Sequence, residues 1–253
     1  MKIDYYAYRS GMKNWNAGIK ILLSVVTLCL VIGLNRIPVS LFVVFSMGAL
    51  TLLAGRIPGK VYFHYMTVPL VFMIVSGAAI ALEFAGSPAG DWNISMHFFY
   101  LCVTKEGIRT AAEVFFKAMA GMSSLYMLAF STPVHEIILI LQKLHLPRLL
   151  AELMNLIYRY IFILFDVAHQ LQTAAKARLG YQTFAMSCKT FAGIAGNLFL
   201  ISLRKAGTYY DAMLARGYDG RVEFLTEEHP VRAWQPLCCI CYFLLLVGIR
   251  FAG

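Results

Sequence analysis

Cys238, Cys239 and Cys241 put three thiols within one helical turn, and soft thiolates at such spacing bind transition metals. Forming a thiolate is costly in apolar surroundings. These three stand in an uncharged stretch with no His or carboxylate within one turn, so they read as packing or lipid-facing residues. His64, His97, His135, His145, His169 and His229 form no H-x-x-x-H pair of the kind that holds a metal on one helix face. Glu106 with Glu113, and Asp211 with Asp219, offer paired carboxylates for acid/base work, yet each has an ordinary place on a helix face or at a cap. Neither a GxxxxGK[ST] phosphate loop nor a Gly-x-Ser-x-Gly elbow occurs. The reading is therefore a non-enzyme, with no catalytic residue, no metal ligand set and no cofactor site.

Two arginines have mechanics that can be read. Ala174-Ala175-Lys176-Ala177-Arg178-Leu179-Gly180-Tyr181 and Ala212-Met213-Leu214-Ala215-Arg216-Gly217-Tyr218 repeat Ala-Arg 38 residues apart, each time closely followed by Gly-Tyr. Gly takes the left-handed conformation that ends a helix, and Arg there is favoured by the negative end of the dipole. Each motif therefore predicts a helix that ends by presenting one Arg at an exposed tip. Ordinary C-capping would produce the same residues. A duplicated tip, however, suits a partner with two equivalent docking sites, such as a dimer.

The elements that carry these tips belong to a membrane protein. The 253 residues hold 22 Lys+Arg against 13 Asp+Glu, a net charge of +9, with 60% hydrophobic and only 14% charged residues and a mean hydropathy of +0.68. Soluble domains are about 25% charged. Nucleic-acid binders gather their basic residues on one face, whereas here Lys and Arg punctuate long apolar runs. The six Cys (Cys29, Cys102, Cys188, Cys238, Cys239, Cys241) lack disulfide-framework spacing. Asp4, Arg9, Lys13 and Lys20 precede the first apolar run and no small-residue cleavage site follows, which argues against a cleaved signal peptide.

Spanning about 30 Å of hydrocarbon takes roughly 17–25 mostly apolar residues in a helix. Residues 21–35, 37–55, 61–82, 118–135 and 233–249 are read as five spans, the fourth continuing an amphipathic start near Gly107. Lys20 and Arg36 flank the first and are expected to snorkel, and Pro69 is expected to kink the third. With the N-terminus inside, 17 of the 22 Lys and Arg fall on the cytoplasmic side, as the positive-inside rule requires. The expected architecture is an all-α membrane protein: a bundle over 1–132, long cytoplasmic helices over 133–232 and a last span over 233–253. Within the middle segment, 134–144 reads as a short helix, 148–178 as a helix of about 45 Å at 1.5 Å rise per residue, and 184–216 as a third helix. The uncharged centre of the third, 190–203, is short for a span. Small residues cluster at Ser76-Gly77-Ala78-Ala79 with Ala81, and at Ala118-x-Ala120-Gly121 with Ser123-Ser124. They suit either packing within the bundle or docking of a second membrane protein through Gly77, Ala81, Ala118 and Gly121.

The two Ala-Arg motifs, with Ile3-Asp4-Tyr5-Tyr6-Ala7-Tyr8-Arg9-Ser10, Thr132-Pro133, Leu146-Pro147 and Tyr158-Arg159-Tyr160, resemble in order and spacing the transmembrane T component of energy-coupling factor (ECF) transporters, in its CbiQ branch. The likeness runs from about Ile3 to Arg221. It implies long coupling helices that cross near their middles, an ABC ATPase dimer that receives the two Arg tips, and a membrane S component of CbiM type that binds the substrate, with cobalt or nickel as cargo. Arg178 and Arg216 carry over as ATPase contacts, and Ala177, Leu179, Ala215 and Gly217 as the rest of each motif. Leu179 departs from the strict motif, which has Gly there, and this puts the tightness of that contact in question. The resemblance also implies a multi-pass protein of a bacterial or archaeal cell membrane. A T component serving vitamin S components and a conventional ABC permease are the alternatives.

Overall fold

The computed structural model describes residues 2–85, 92–96, 99–220, 230–231 and 234–252. Asp91, His97, Arg221, His229 and Arg232 lie outside them. The chain forms two compact units, Met1–Ile137 with Glu228–Gly253, and Ile138–Glu227.

In the first unit, α1 (Lys2–Arg9) precedes α2 (Ala17–Leu34), α3 (Ile37–Ala49), a π-helical turn (Leu50–Ala54) and α4 (Gly59–Ala81). Strands β1 (Leu82–Ala85), β2 (Trp92–Met96) and β3 (Phe99–Val103) follow, then α5 (Lys105–Ser131) and the start of α6 (Val134–Lys143), and α9 (Trp234–Ala252) closes the unit. Asn16 caps α2 by accepting from the Gly18 amide at 2.9 Å, and α2 ends on Asn35 in the left-handed region. Pro38 stands in the first turn of α3, where its missing N–H costs nothing. The π turn closes through Gly55 N–H donating to the Leu50 carbonyl at 3.0 Å. α4 runs through Pro69 without ending.

α5 is the hub, packed against α1, α2, α3 and α4. Small polar residues bring it close: Ser24 Oγ donates to the Ser124 carbonyl and Ser124 Oγ to the Ser24 carbonyl, both at 3.0 Å, which joins α2 to α5. Tyr62 of α4 meets Ser123 Oγ at 2.9 Å. Helices surrounded by lipid gain little from hydrophobic contact with one another, so close backbones and such hydrogen bonds, about 0.6 kcal/mol each on average, hold the bundle. Val31, Val43, Met47, Met127 and Leu246 form its buried centre. α9 is fixed by Trp234 edge-on to Trp15 and by Tyr242 Oη 2.9 Å from Ser46 Oγ.

Three expectations need correcting. The fourth span does not reach His135: α5 ends at Ser131, because Pro133 forces Thr132 into an extended conformation (φ −132°, ψ 115°), and His135 lies in the first turn of α6. The connection between the third and fourth expected spans, within an architecture expected to be all-α, contains a three-stranded antiparallel sheet in the order β1-β3-β2, with Leu82 and Trp92 both paired to Val103. Trp92, Ile94, Phe99, Tyr100 and Val103 are strand formers. Lys20 does not snorkel: it lies inside α2, one turn past the cap, and is fully buried.

The second unit is a hairpin of α7 (Arg148–Ala177) and α8 (Phe184–Leu214). By length and composition, α2, α3 with its π turn, α4, α5 and α8 can each cross a membrane, while the apolar part of α9, Trp234–Ile249, is shorter. α9, the expected fifth span, is thus the shorter candidate, whereas α8, whose uncharged centre alone is short for a span, continues for 31 residues. The molecule is a multi-pass, predominantly helical membrane protein.

Candidate functional site

α7 and α8 end in the same way. After Arg178, Leu179 turns left-handed (φ 57°), its amide donates to the Lys176 carbonyl at 3.0 Å, and the Gly180 amide reaches back to Ala175 at 3.0 Å. After Arg216, Gly217 turns left-handed (φ 81°), its amide donates to Leu214 at 3.0 Å, and the Tyr218 amide reaches back to Met213 at 3.0 Å. A left-handed residue with a bond five residues back is the Schellman ending of a helix. Ala177, Arg178, Leu179, Ala215, Arg216 and Gly217 are all exposed, and neither guanidinium has an ion-pair partner among the described residues. The two tips are thus copies in backbone geometry as well as in sequence.

Their spacing is set by α8. Gly180 lies against it: Thr190 Oγ1 donates to the Gly180 carbonyl at 2.8 Å, and a Cβ on Gly180 would stand 2.8 Å from that oxygen. Thr183 caps α8 by accepting from the Met186 amide. The first tip is therefore tied to the beginning of α8 and the second is its end, so about 40 Å of helix at 1.5 Å per residue separates them. Tyr160 of α7 rests on Tyr209 of α8 with ring centroids 5.0 Å apart, beside a cleft of about 250 Å³. Burial raises the Tyr160 phenol pKa above its ordinary value, with Tyr209 adding to the rise and Arg159 opposing it, so the ring stays neutral at physiological pH.

A second feature lies in the bundle. An apolar groove of about 1030 Å³ runs between α2, α4 and α5 and is lined by Gly77, Ala118 and Gly121 among others, with Lys117 on its wall. A Cβ added at Gly77 or Gly121 would meet nothing within 4 Å. Ala81 is not in the lining; its backbone faces Gly107 of α5. The small-residue cluster on α5 thus divides, with Ala120, Ser123 and Ser124 buried in the bundle and Ala118 and Gly121 facing the groove.

The remaining candidates occupy ordinary positions. Arg109 donates to Glu113 at 3.1 Å along one face of α5. Cys239 is buried in the bundle core, whereas Cys238 and Cys241 are exposed. Among the described residues no three His, Cys, Asp or Glu side chains converge on a metal-sized site. Sequence reasoning missed one buried polar cluster, formed by Lys20, Glu136 and the carbonyls of Met12 and Ser131. Only the tertiary fold brings its members together.

Comparison with known proteins agrees with this architecture. The family of cobalt transport proteins CbiQ matches residues 10–226. The CbiQ cobalt transport protein of Rhodobacter capsulatus is 25% identical over 251 residues, covering 99% of this chain and 97% of its own length. That of Salmonella typhimurium is 30% identical over 161 residues, covering 61% of this chain and 70% of its own. A protein of Methanocorpusculum labreanum named as a fused cobalt transport protein CbiMQ is 29% identical over 252 residues, covering 99% of this chain but 42% of its own length. With a membrane bundle, a long helical hairpin and a family match over most of its length, the chain belongs to the CbiQ family of cobalt transport proteins.

Proposed function

We propose that the chain is the transmembrane coupling subunit of an ECF-type ABC importer that takes up cobalt, or nickel, and that ATP is hydrolysed by partner subunits. The observation that carries this reading is the pair of equivalent arginine tips about 40 Å apart on one hairpin, a spacing and duplication suited to the two halves of an ABC ATPase dimer. Opening and closing of that dimer moves the hairpin that bears both tips. α7 and α8, held together at Tyr160 and Tyr209, carry the motion to the bundle.

The substrate is held by a membrane S component of CbiM type. The fused relative, in which a CbiQ-like part is joined to a further segment, supports such a neighbour, and the groove at Gly77, Ala118 and Gly121 supplies a face on which a helix backbone can approach closely. The hairpin and the N-terminus are assigned to the cytoplasm on the charge distribution. Cargo identity is read by the S component, so a T component serving vitamin S components would have the same tips.

Purification of the chain from its native membrane, with mass spectrometry of what accompanies it and Co²⁺ uptake by the reconstituted complex, tests the reading. Two ABC ATPase copies and one small membrane protein are expected. A chain that purifies without an ATPase and transports Co²⁺ unaided sinks it.

A further inference from the structure

Lys20 is 0% exposed. An ammonium has three N–H donors, and three chain segments supply acceptors: the Met12 carbonyl after α1 at 3.4 Å, the Ser131 carbonyl at the end of α5 at 3.0 Å, and Glu136 Oε2 in the first turn of α6 at 3.5 Å. That Glu136 oxygen is itself buried and has no hydrogen-bond partner among the described residues, so the ion pair is its compensation. Beside it, His135 stacks on Tyr8 of α1 with ring centroids 5.6 Å apart, and Tyr8 Oη lies 3.1 Å from His135 Nδ1. The first turn of α6 is therefore gripped by α1, α2 and the end of α5.

The location gives the cluster its meaning. Pro133 interrupts the helix between α5 and α6, so no continuous hydrogen-bonded rod crosses this point. Two residues after Glu136 the chain passes into the hairpin unit. A displacement carried along α6 meets the bundle at this point through the backbone at Pro133 and through these side chains. Burying an ion pair is a poor way to gain stability, since well-packed apolar residues often do as well or better. A carboxylate and an ammonium instead fix one geometry among three segments.

Building on the coupling reading above, we propose that Lys20 and Glu136 are positioning residues of the coupling mechanism, a polar joint that delivers displacement of α6 to α2 and α5. They touch neither the ATPases nor the cargo. Their removal separates hydrolysis from uptake while both partners stay bound.

The test uses the full complex with its ATPases and S component in proteoliposomes, with ATP hydrolysis and Co²⁺ uptake measured on the same preparation. Glu136→Gln removes the charge without changing shape. Lys20→Met with Glu136→Leu replaces the pair by apolar volume, which guards against failure of the single variant to fold. Uptake per ATP is expected to fall about fivefold or more in both, the lower end of typical coupling between sites. A folding defect removes assembled complexes and lowers uptake and hydrolysis together, leaving that ratio unchanged. Wild-type uptake per ATP in either folded variant overturns the joint. If instead the wild-type complex contains no ATPase, the coupling reading fails, and the joint with it, before any variant is compared.

Discussion

Leu179 and Gly217 hold the same place, one residue past the arginine at each helix tip, and both are left-handed, with φ 57° and 81°. The first tip keeps this ending although its residue carries a side chain. A left-handed L-residue costs roughly 1–2 kcal/mol, which Gly avoids. Leu179→Gly is therefore expected to slow amide exchange at Gly180, whose N–H closes the turn, and Gly217→Leu to accelerate it at Tyr218. Equal exchange in both variants and wild type would show that the turn is held by something other than its backbone.

The arginines themselves should be separable from the fold. Truncating one partner of a buried charge pair costs about 2–5 kcal/mol, which is roughly 30-fold or more in affinity. Arg178→Ala and Arg216→Ala are each expected to depress Co²⁺ uptake strongly while the bundle keeps its S component. Lys at either site rescues only in part, because an ammonium lacks the planar fork of a guanidinium. A double Ala variant that retains both ATPases and wild-type uptake would reduce the tips to helix caps.

Filling the groove tests its use as a docking face. Gly77 and Gly121 look onto open space, and Leu is a better helix former than Gly by up to about 1 kcal/mol. Gly77→Leu and Gly121→Leu should melt no lower than wild type but lose the S component on co-purification. Ala120→Leu, at a fully buried site, should instead destabilise the bundle by about 1–3 kcal/mol through overpacking. Retention of the S component by both groove variants places its contact elsewhere.

The cysteines should prove dispensable for transport. Replacing the exposed Cys238 and Cys241 with Ala is expected to leave uptake unchanged, and Cys239→Ala, in the core, to cost on the order of 1 kcal/mol of stability. A tenfold loss of uptake at normal protein level would restore a metal or redox role to this cluster.

Sidedness can be read with an impermeant thiol reagent in a background without reactive native Cys. Gly180→Cys and Asp219→Cys are expected to label only from the cytoplasmic side, and Asp91→Cys only from outside. Labelling of position 219 from outside would move the hairpin across the membrane.

Most helices could be read from the sequence because charge-free runs and Pro residues are local signals: the ends of α3, α7 and α8 follow from Pro38, Pro147 and the two Ala-Arg motifs. The π turn at Leu50–Ala54 carries no residue that announces it. The sheet was missed because strand formers in a short connection need partners that only folding supplies. Lys20 misled for a related reason: a charge at the edge of an apolar run normally reaches for water, and its acceptors Ser131 and Glu136 lie more than a hundred residues away. At the site, the arginines and the small residues were legible as types. The division of α5 into a packed face and a groove face was not, since it depends on where α2 and α4 lie.

α8 has no buried residue, and its Phe184, Phe191, Phe199 and Leu203 are 87%, 72%, 62% and 55% exposed. An apolar surface of that extent on a chain lacking its companions is what chaperones and proteases recognise. Whatever covers α8 in the cell, lipid or a protein partner, therefore also decides whether that surface is open to such recognition.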